Sequence, residues 1–451
     1  MEITMPNQVA KALMMLDESG FEAYIVGGCV RDSIMGRKPS DWDITTSATP
    51  DEICSVFSEF KTVLTGVKHG TVTVIIDHFN MEITTFRTEG GYSDNRRPDY
   101  VNFTTNLKDD LSRRDFTMNA LAYNPESGIV DMFGGVEDIQ NKLLRCVGDA
   151  DTRFKEDALR IMRGIRFASV LSFEIEEKTR IAIHENKKLL ENIAVERISV
   201  EFDKLLLGDY VEKILNEYKD VIAVFVPEII ATFNFDQRNY HHIFDVWGHI
   251  VAAIAASPKL IYVRLALFFH DIAKPACLKF DSRGMGHFDG HQAEGKELSK
   301  QILRRLKYDG VTMKIVPFLV RYHDAPLPPD KTEIKKWLKK YGKTMVQLLY
   351  EVKISDNTAK NRNFPARLVE AKEGRAILRK IIKNDECYSL KQLKISGRDL
   401  IDAGFPETPA LGQTLDKILD AVISGDCENE RDALLKFAEP MIKRGNNGDS
   451  H

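Results

Sequence analysis

Along the N-terminal part of the chain the spacing of apolar positions changes repeatedly, and each change predicts an element. Val9, Leu13, Met14 and Leu16 recur near helical spacing and stop at Gly20, which predicts a helix over residues 6–20. Tyr24 to Val26 is a short apolar run that breaks at Gly27-Gly28, the pattern of a strand running into a turn. Thr46 to Ala48 and Pro50 mark a helix start, with Ile53, Val56, Phe57 and Phe60 as its apolar face. Thr71–Ile76 and Met81–Phe86 alternate or run continuously apolar around Asp77-His-Phe-Asn80, which predicts a hairpin. Downstream, the readable segments are helical. Leu159, Met162 and Ile165 share one face of Glu156–Phe167, Arg264 to Phe269 is an apolar helical run, and short helical runs separated by glycines span 395–412. The predicted class is α+β, a small mixed-sheet head followed by all-α regions.

Composition narrows this little. A chain of 451 residues, 43% hydrophobic and 29% charged, predicts a soluble protein of two to four domains. No leader pattern and no run of about 20 apolar residues is present, so neither export nor membrane insertion is expected, and the expected location is cytoplasmic. Cys29, Cys54, Cys146, Cys277, Cys387 and Cys427 lack Cys-x-x-Cys spacing, which argues against a disulfide framework or a zinc ribbon. A formal charge of -4 means that a nucleic acid would have to be held by local basic patches.

The chemistry concentrates in a few strings. At Gly27-Gly28 no β-carbon hinders a phosphate from approaching backbone N–H groups, and Arg31 follows with a charged fork. Asp41 and Asp43 are two apart, so on an extended segment both carboxylates face one side, as Mg2+ coordination beside nucleotide phosphates requires. Read alone, an Asp-x-Asp is most often a solvated loop pair. Gly-Gly-x-Val-Arg-Asp followed by Asp-Trp-Asp is more specific, and it resembles the signature of DNA polymerase β-like nucleotidyltransferases, in the branch holding class II CCA-adding enzymes and bacterial poly(A) polymerases. The resemblance implies a third acidic residue from a neighbouring strand. Glu82, in the alternating run Met81–Phe86, is the candidate, although an ordinary exposed strand glutamate reads the same way.

Further strings extend the likeness. Residues 88–112 are polar and basic, by composition a surface loop; the resemblance makes them the flexible loop that helps the switch to adding the final A. In Arg113-Arg-Asp-Phe-Thr-Met-Asn-Ala120 two guanidinium groups flank a carboxylate, fit for phosphate and ribose respectively, and the string is similar to the family's ribose-recognition motif, with Arg114, Asp115 and Asn119 as its carriers. Read alone, Asp115 is equally a helix N-cap. Asp131-Met-Phe-Gly-Gly135 resembles the hinge between head and neck. Asp157 and Arg160 are three apart on the expected helix 156–167, ordinarily just a helical ion pair. The resemblance makes this Glu-Asp-x-x-Arg the protein template that reads the Watson–Crick edge of C or A, with Arg163 and Arg166 in the same nucleotide site, and excludes G and U by leaving polar groups unpaired. Glu196–Leu206 resembles the stabilising motif of the neck, so the likeness runs from about 20 to 206.

Beyond it the chemistry changes. Of eleven histidines, seven lie between 241 and 323: His241, His242, His249, His270, His287, His291 and His323. His270-Asp271, with His249 before it and His291, His323 and Asp356 after it, resembles an HD phosphohydrolase domain, and imidazole with carboxylate suits Ni2+ or Mn2+, among other divalent ions, holding an activated water against a phosphate ester. Lys331, Lys335, Lys336, Lys339, Lys340 and Lys343, with Trp337 and Tyr341, predict a basic helix, continued by Arg375, Arg379, Lys380 and Lys383, either a solvated face or phosphate contacts along tRNA. Residues from Arg444 to His451 are expected to be disordered.

The expected organisation is a catalytic head (1–148), a helical neck (149–225), an HD-type domain (226–360) and a C-terminal body (361–451). The expected function is template-independent addition of CCA to tRNA from CTP and ATP, with Mg2+ at Asp41 and Asp43 and a possible second role in phosphate removal at RNA 3′ ends. A poly(A) polymerase, an A-adding enzyme, and an HD phosphohydrolase whose head only binds RNA remain as alternatives. Gly66-Val-Lys-His-Gly70 stands where poly(A) polymerases tend to carry an Arg-rich string.

Overall fold

A computed structural model describes residues 1–91, 100–238 and 243–446. His241, His242, the tip of the 88–112 segment and residues 447–451 lie outside them. The chain forms two compact units, Met1–Ile230 with Arg305–Tyr308, and Ala231–Arg304 with Asp309–His451. Among the described residues no helix is long and apolar enough to cross a membrane.

The first unit is built on strands β1 (Ala23–Val26), β2 (Asp43–Thr46), β3 (Lys61–Val63), β4 (Thr71–Ile76), β5 (Phe79–Thr85), β8 (Leu121–Asn124) and β9 (Gly128–Asp131), in the order β3-β4-β5-β2-β1-β8-β9. All neighbours are antiparallel except β2 and β5, which run parallel with Asp43 opposite Glu82. The hairpin is tighter than the sequence suggests. Asp77 and His78 alone make the turn, both at positive φ (48° and 65°), so β5 begins at Phe79 rather than Met81. Two positive φ values match the right-handed twist of the flanking strands.

Strands β6 (Arg87–Gly90) and β7 (Tyr100–Phe103) pair antiparallel, so the flanks of the expected loop form a ribbon. Helix α1 (Asn7–Glu18) buries Val9, Leu13 and Leu16 but leaves Met14 51% exposed, because Ala12 takes the place on the packed face assigned to Met14. Helix α2 (Gly28–Ile34) follows β1. Helix α3 (Pro50–Val56) starts at a Thr49–Glu52 capping box with Pro50 in its first position; Thr46 belongs to β2 instead. Helices α4 (Leu107–Ser112) and α5 (Gly135–Gln140) complete the head, and Asp131 accepts hydrogen bonds from the N–H groups of Gly135 and Val136 at the start of α5.

The helical part of this unit comprises α6 (Ala150–Glu156), α7 (Leu159–Leu171), α8 (Glu177–Asn186), α9 (Val195–Leu206), α10 (Val211–Glu217) and α11 (Lys219–Phe225). The expected helix 156–167 is broken: Asp157 is extended (φ -132°, ψ 102°) and separates α6 from α7. Its own carboxylate accepts from the Leu159 N–H and so competes with continuous helix.

The second unit is helical: α12 (Val246–Ala255), α13 (Ile261–Phe269), α14 (Lys274–Cys277), α15 (His291–Arg305), α16 (Gly310–Tyr322), α17 (Lys331–Tyr341), α18 (Lys343–Thr358), α19 (Ala366–Lys383), α20 (Gly397–Asp402), α21 (Ala410–Ser424) and α22 (Arg431–Asn446). The last three close over their own apolar core, which includes Leu400, Phe405, Ile418 and Leu434. Helix α22 carries the chain to Asn446, into the segment expected to be disordered. The basic helix α17 spends most of its charge inside the unit. Lys331 and Lys335 pair with Glu386, Lys336 with Glu333, and Lys339 with Asp416 and Asp420, while Trp337 and Tyr341 pack on Tyr322. Of the lysines expected to bind phosphate, Lys340 on α17 and Lys343 at the start of α18 are exposed with no such pairing among these contacts.

Candidate functional site

At the end of β1, Gly27 has φ 78°, and a β-carbon there would lie 3.1 Å from Arg114 Nη1. The positive φ favours glycine, and a β-carbon would also press on that guanidinium. Gly27→Ala is therefore expected to raise the KM for nucleotide about tenfold, since strain of about 1–2 kcal/mol and a displaced Arg114 act together; steady-state kinetics measure it. Gly28 opens α2, which delivers Arg31. The Arg31 guanidinium is buried and donates to Asp32 Oδ1 (2.8 Å) and to Asn119 Oδ1 (2.7 Å).

Asp43 begins β2, Asp41 precedes it by two residues, and Glu82 faces Asp43 across the parallel pair. Desolvation, together with the charges of Asp41 and Glu82, pushes the Asp43 carboxyl up to about 6, against the pull of Arg114. Three hard oxygen donors whose mutual repulsion disfavours ionisation fit a Mg2+-type cation. The three do not gather into a triad as tight as those of the second unit.

The ribose motif turns inward. Asp115 caps no helix; its Oδ1 accepts from the Phe116 N–H and from Asn119 Nδ2, and its Oδ2 from Arg163 Nε (2.8 Å) and Nη2 (2.5 Å). Burial opposes its charge, but Arg163 and Asn119 prevail and hold the carboxyl down at about 2. The expected Asp157–Arg160 pair does not form. Asp157 Oδ2 meets Arg197 Nη2 at 3.3 Å, while Arg160 donates to Glu156 (2.7 Å) and to the carbonyls of Arg153 and Arg113. The helix break at Asp157 explains this, since the two side chains no longer share one helical face. Arg166 pairs with Glu201 at 2.7 Å, and Arg31, Arg163 and Arg166 surround the Phe167 ring at 5.1, 5.3 and 3.5 Å from its centroid.

Asp110 was missed by the sequence reading. Fully buried, it accepts from Arg113 (2.7 Å), Arg114 (3.2 Å) and Thr45 Oγ1 (3.2 Å), and so ties the two arginines to the strand that carries Asp43. Burial disfavours its ionisation, yet Arg114 and Arg113 hold it below the usual carboxylate range. Its signal was its i,i+3 and i,i+4 spacing from those two arginines. Arg114 Nε is buried without an acceptor among the described residues, a donor left over for a ligand.

In the second unit, α12 carries His249, the end of α13 His270 and Asp271, the start of α15 His291, the end of α16 His323, and α18 Asp356; all six are buried. His249 Nε2 lies 2.9 Å from Asp356 Oδ1, and His270 Nε2 lies 3.2 Å from Asp271 Oδ2. His287 stays apart, near Asp281. The Nδ1 atoms of His270, His291 and His323 face the carbonyls of Leu267 (2.7 Å), Phe288 (2.6 Å) and Val320 (2.8 Å), which makes each Nδ1 a donor and turns each Nε2 inward. Despite burial, Asp271 holds the His270 imidazole up at about 9. Burial and the positive charge of His270 push His323 down to about 3, against the pull of Asp271 and Asp356. Such a mixed nitrogen and oxygen set fits a divalent transition metal. Lys274 reaches Asp271 (2.6 Å) and Lys360 reaches Asp356 (2.6 Å), partners that their i,i+3 and i,i+4 spacing foreshadows.

The sequence matches three family models: "Poly A polymerase head domain" over 23–145, "Probable RNA and SrmB- binding site of polymerase A" over 172–230, and "tRNA nucleotidyltransferase domain 2 putative" over 293–438. A CCA-adding enzyme of Lactobacillus helveticus is 36% identical over 97% of this chain and 98% of its own, and one of Enterococcus faecalis is 33% identical over 98% of both. The Bacillus stearothermophilus CCA-adding enzyme crystallised with CTP is 28% identical, with a TM-score of 0.71 over 98% of this chain and 100% of that one. The Thermotoga maritima enzyme complexed with tRNA, 20% identical with a TM-score of 0.60 over 98% and 97%, shares the fold. Whole-length identity at this level, joined to a head whose signature residues sit on one sheet, places the chain in the CCA-adding enzyme family of tRNA nucleotidyltransferases.

Proposed function

We propose that this chain builds or repairs the CCA end of tRNA from CTP and ATP, in the cytoplasm, by attack of the tRNA 3′-hydroxyl on the α-phosphate with pyrophosphate leaving. The observation that carries the reading is the register that sets Glu82 opposite Asp43, two residues from Asp41, on the sheet that also presents Gly27 and Arg31. Asp41 and Asp43, with Glu82 as third carboxylate, would hold Mg2+, which when bound supplies charge neutralisation and a lowered hydroxyl pKa. The Gly27-Gly28 backbone, Arg31 and Arg114 hold the triphosphate. Asp115 and Asn119 are the ribose-recognising pair of this reading, and to meet a ribose hydroxyl they must exchange bonds to Arg163 and Arg31.

Asp157 and Arg160, with Arg163 and Arg166 beside them, select the base. For Asp157 and Arg160 to pair with a base edge, the bonds to Arg197 and Glu156 must be exchanged for bonds to the nucleotide, so the template is assembled on binding. The head (1–148) and neck (149–225) carry this chemistry, and residues 361–451 contact tRNA. In the segment 226–360, the His249, His270, Asp271 and Asp356 cluster would hold a Ni2+ or Mn2+ type ion for hydrolysis of phosphate from RNA 3′ ends.

Incubation with tRNA ending before, within or after CCA, plus labelled CTP or ATP, tests the reading. CCA synthesis takes both nucleotides and stops after one A; an A-adding enzyme needs a preexisting CC, a poly(A) polymerase runs on, and a hydrolase with an inert head incorporates nothing. Any of the last three outcomes refutes the proposal.

A further inference from the structure

Three of the arginines proposed for the nucleotide site converge on one aromatic ring. Phe167 on α7 is 5% exposed, and the guanidinium carbons of Arg166, Arg31 and Arg163 lie 3.5, 5.1 and 5.3 Å from its centroid. Each guanidinium also has a carboxylate partner: Asp32 for Arg31 (2.8 Å), Asp115 for Arg163 (2.8 Å) and Glu201 for Arg166 (2.7 Å). These carboxylates balance the charges singly but leave three cations packed together. Burial lowers the Arg166 pKa, and the like charge of Arg163 adds to this against the pull of Glu201.

The place of the ring is built by its neighbours. Phe116 packs against it edge-on, with 5.9 Å between centroids and 81° between planes. Gly164 stands inside α7, where glycine weakens a helix, and a β-carbon there would lie 3.2 Å from Phe116 Cζ. The helix thus gives up a better helix former to admit the ring that supports Phe167. A chain of hydrogen bonds joins the same arginines: Arg31 donates to Asn119 Oδ1 (2.7 Å), Asn119 to Asp115 Oδ1 (3.0 Å) and Arg163 to Asp115 Oδ2. An aliphatic side chain at 167 would fill the space but offer the cations no electrostatic return, and a polar one would take up their donors. The face of a phenyl ring carries the negative part of its quadrupole and attracts guanidinium groups without accepting their N–H bonds, so these remain for carboxylates and for a ligand.

Resting on the reading that Arg31 holds the triphosphate, we propose that Phe167 is a positioning residue for nucleotide binding: by cation–π attraction its ring holds Arg31 in place against the like charges of Arg163 and Arg166. Two consequences separate this role from packing. The triphosphate is common to CTP and ATP, so loss of the attraction weakens both alike. Arg31 holds the phosphates before the reaction and during it, so the loss appears in KM and not in kcat.

The test uses the full chain with Phe167 replaced by phenylalanine analogues carrying one, two and three ring fluorines, which draw electron density from the ring face in steps and change its shape little. CTP incorporation is followed on tRNA lacking CCA and ATP incorporation on tRNA ending in CC. Expected is a stepwise rise of KM for both nucleotides, reaching about tenfold with three fluorines, while kcat stays within about twofold of the parent. Phe167→Leu should raise KM at least as far. A KM that is flat across the fluorinated series overturns the proposal even if Phe167→Leu is impaired, since the ring then only fills space. A rise for one nucleotide alone, or a fall in kcat at unchanged KM, overturns it as well. A parent protein that incorporates neither nucleotide refutes the function on which the proposal rests, a result distinct from a flat series.

Discussion

Asp43→Asn is expected to lower incorporation of CTP and ATP into tRNA about 10³-fold in kcat while the chain stays folded. The substitution keeps shape but removes the anion at the floor of the site, and loss of about 4 kcal/mol of metal-borne transition-state stabilisation corresponds to that factor. Single-turnover incorporation measures it, and a variant within tenfold of the parent would remove Asp43 from the chemistry. The same group fixes a pH dependence. Its carboxyl is raised to about 6 from an ordinary 3.8, so the charge that would bind a cation is present above about pH 6 and lost below it. Activity should fall on that acid limb, and more Mg2+ should move the limb to lower pH, because cation and proton compete for one carboxylate. For the metal-free chain the sign reverses: the raised group favours the protonated fold, a contribution fully present below about pH 4 and lost as pH rises through about 6.

Arg163→Ala is expected to cost about 3 kcal/mol of stability, because it leaves the buried Asp115 carboxylate without its guanidinium. Urea unfolding of the first unit measures this. Asp115→Asn combined with Arg163→Met should recover part of the loss, since a neutral pair strands no charge. If the double variant is no better than Arg163→Ala alone, the cost lies in packing against Phe167. Asp115 also sets a limit in acid. With its pKa held at about 2 against an ordinary 3.8, its contribution is present above about pH 4 and lost as pH falls through about 2.

Where the sequence reading erred, a long-range contact overrode a local pattern. Asp157 and Arg160 have the spacing of a helical ion pair, but α6 ends just before Asp157, α7 begins only at Leu159, and Arg197, from α9, supplies the carboxylate's partner. Met14 has the right period for the core of α1 and the wrong neighbours. The lysines of α17 look like a nucleic-acid stripe until Glu386, Asp416 and Asp420 arrive from other helices.

What the sequence by itself determined is the chemistry available and the local geometry that carries it: glycines where a guanidinium must approach, an Asp-x-Asp at a strand start, a helix ending in His-Asp, and the family to which these strings belong. Period and turn preference act within a few residues, so they can be read along the chain. Only the tertiary structure decided which charges meet. Register put Glu82 beside Asp43, and packing of five helices put Asp356 beside His249 across 107 residues. Coulomb and coordination interactions depend on distance in space, which the order of residues does not record.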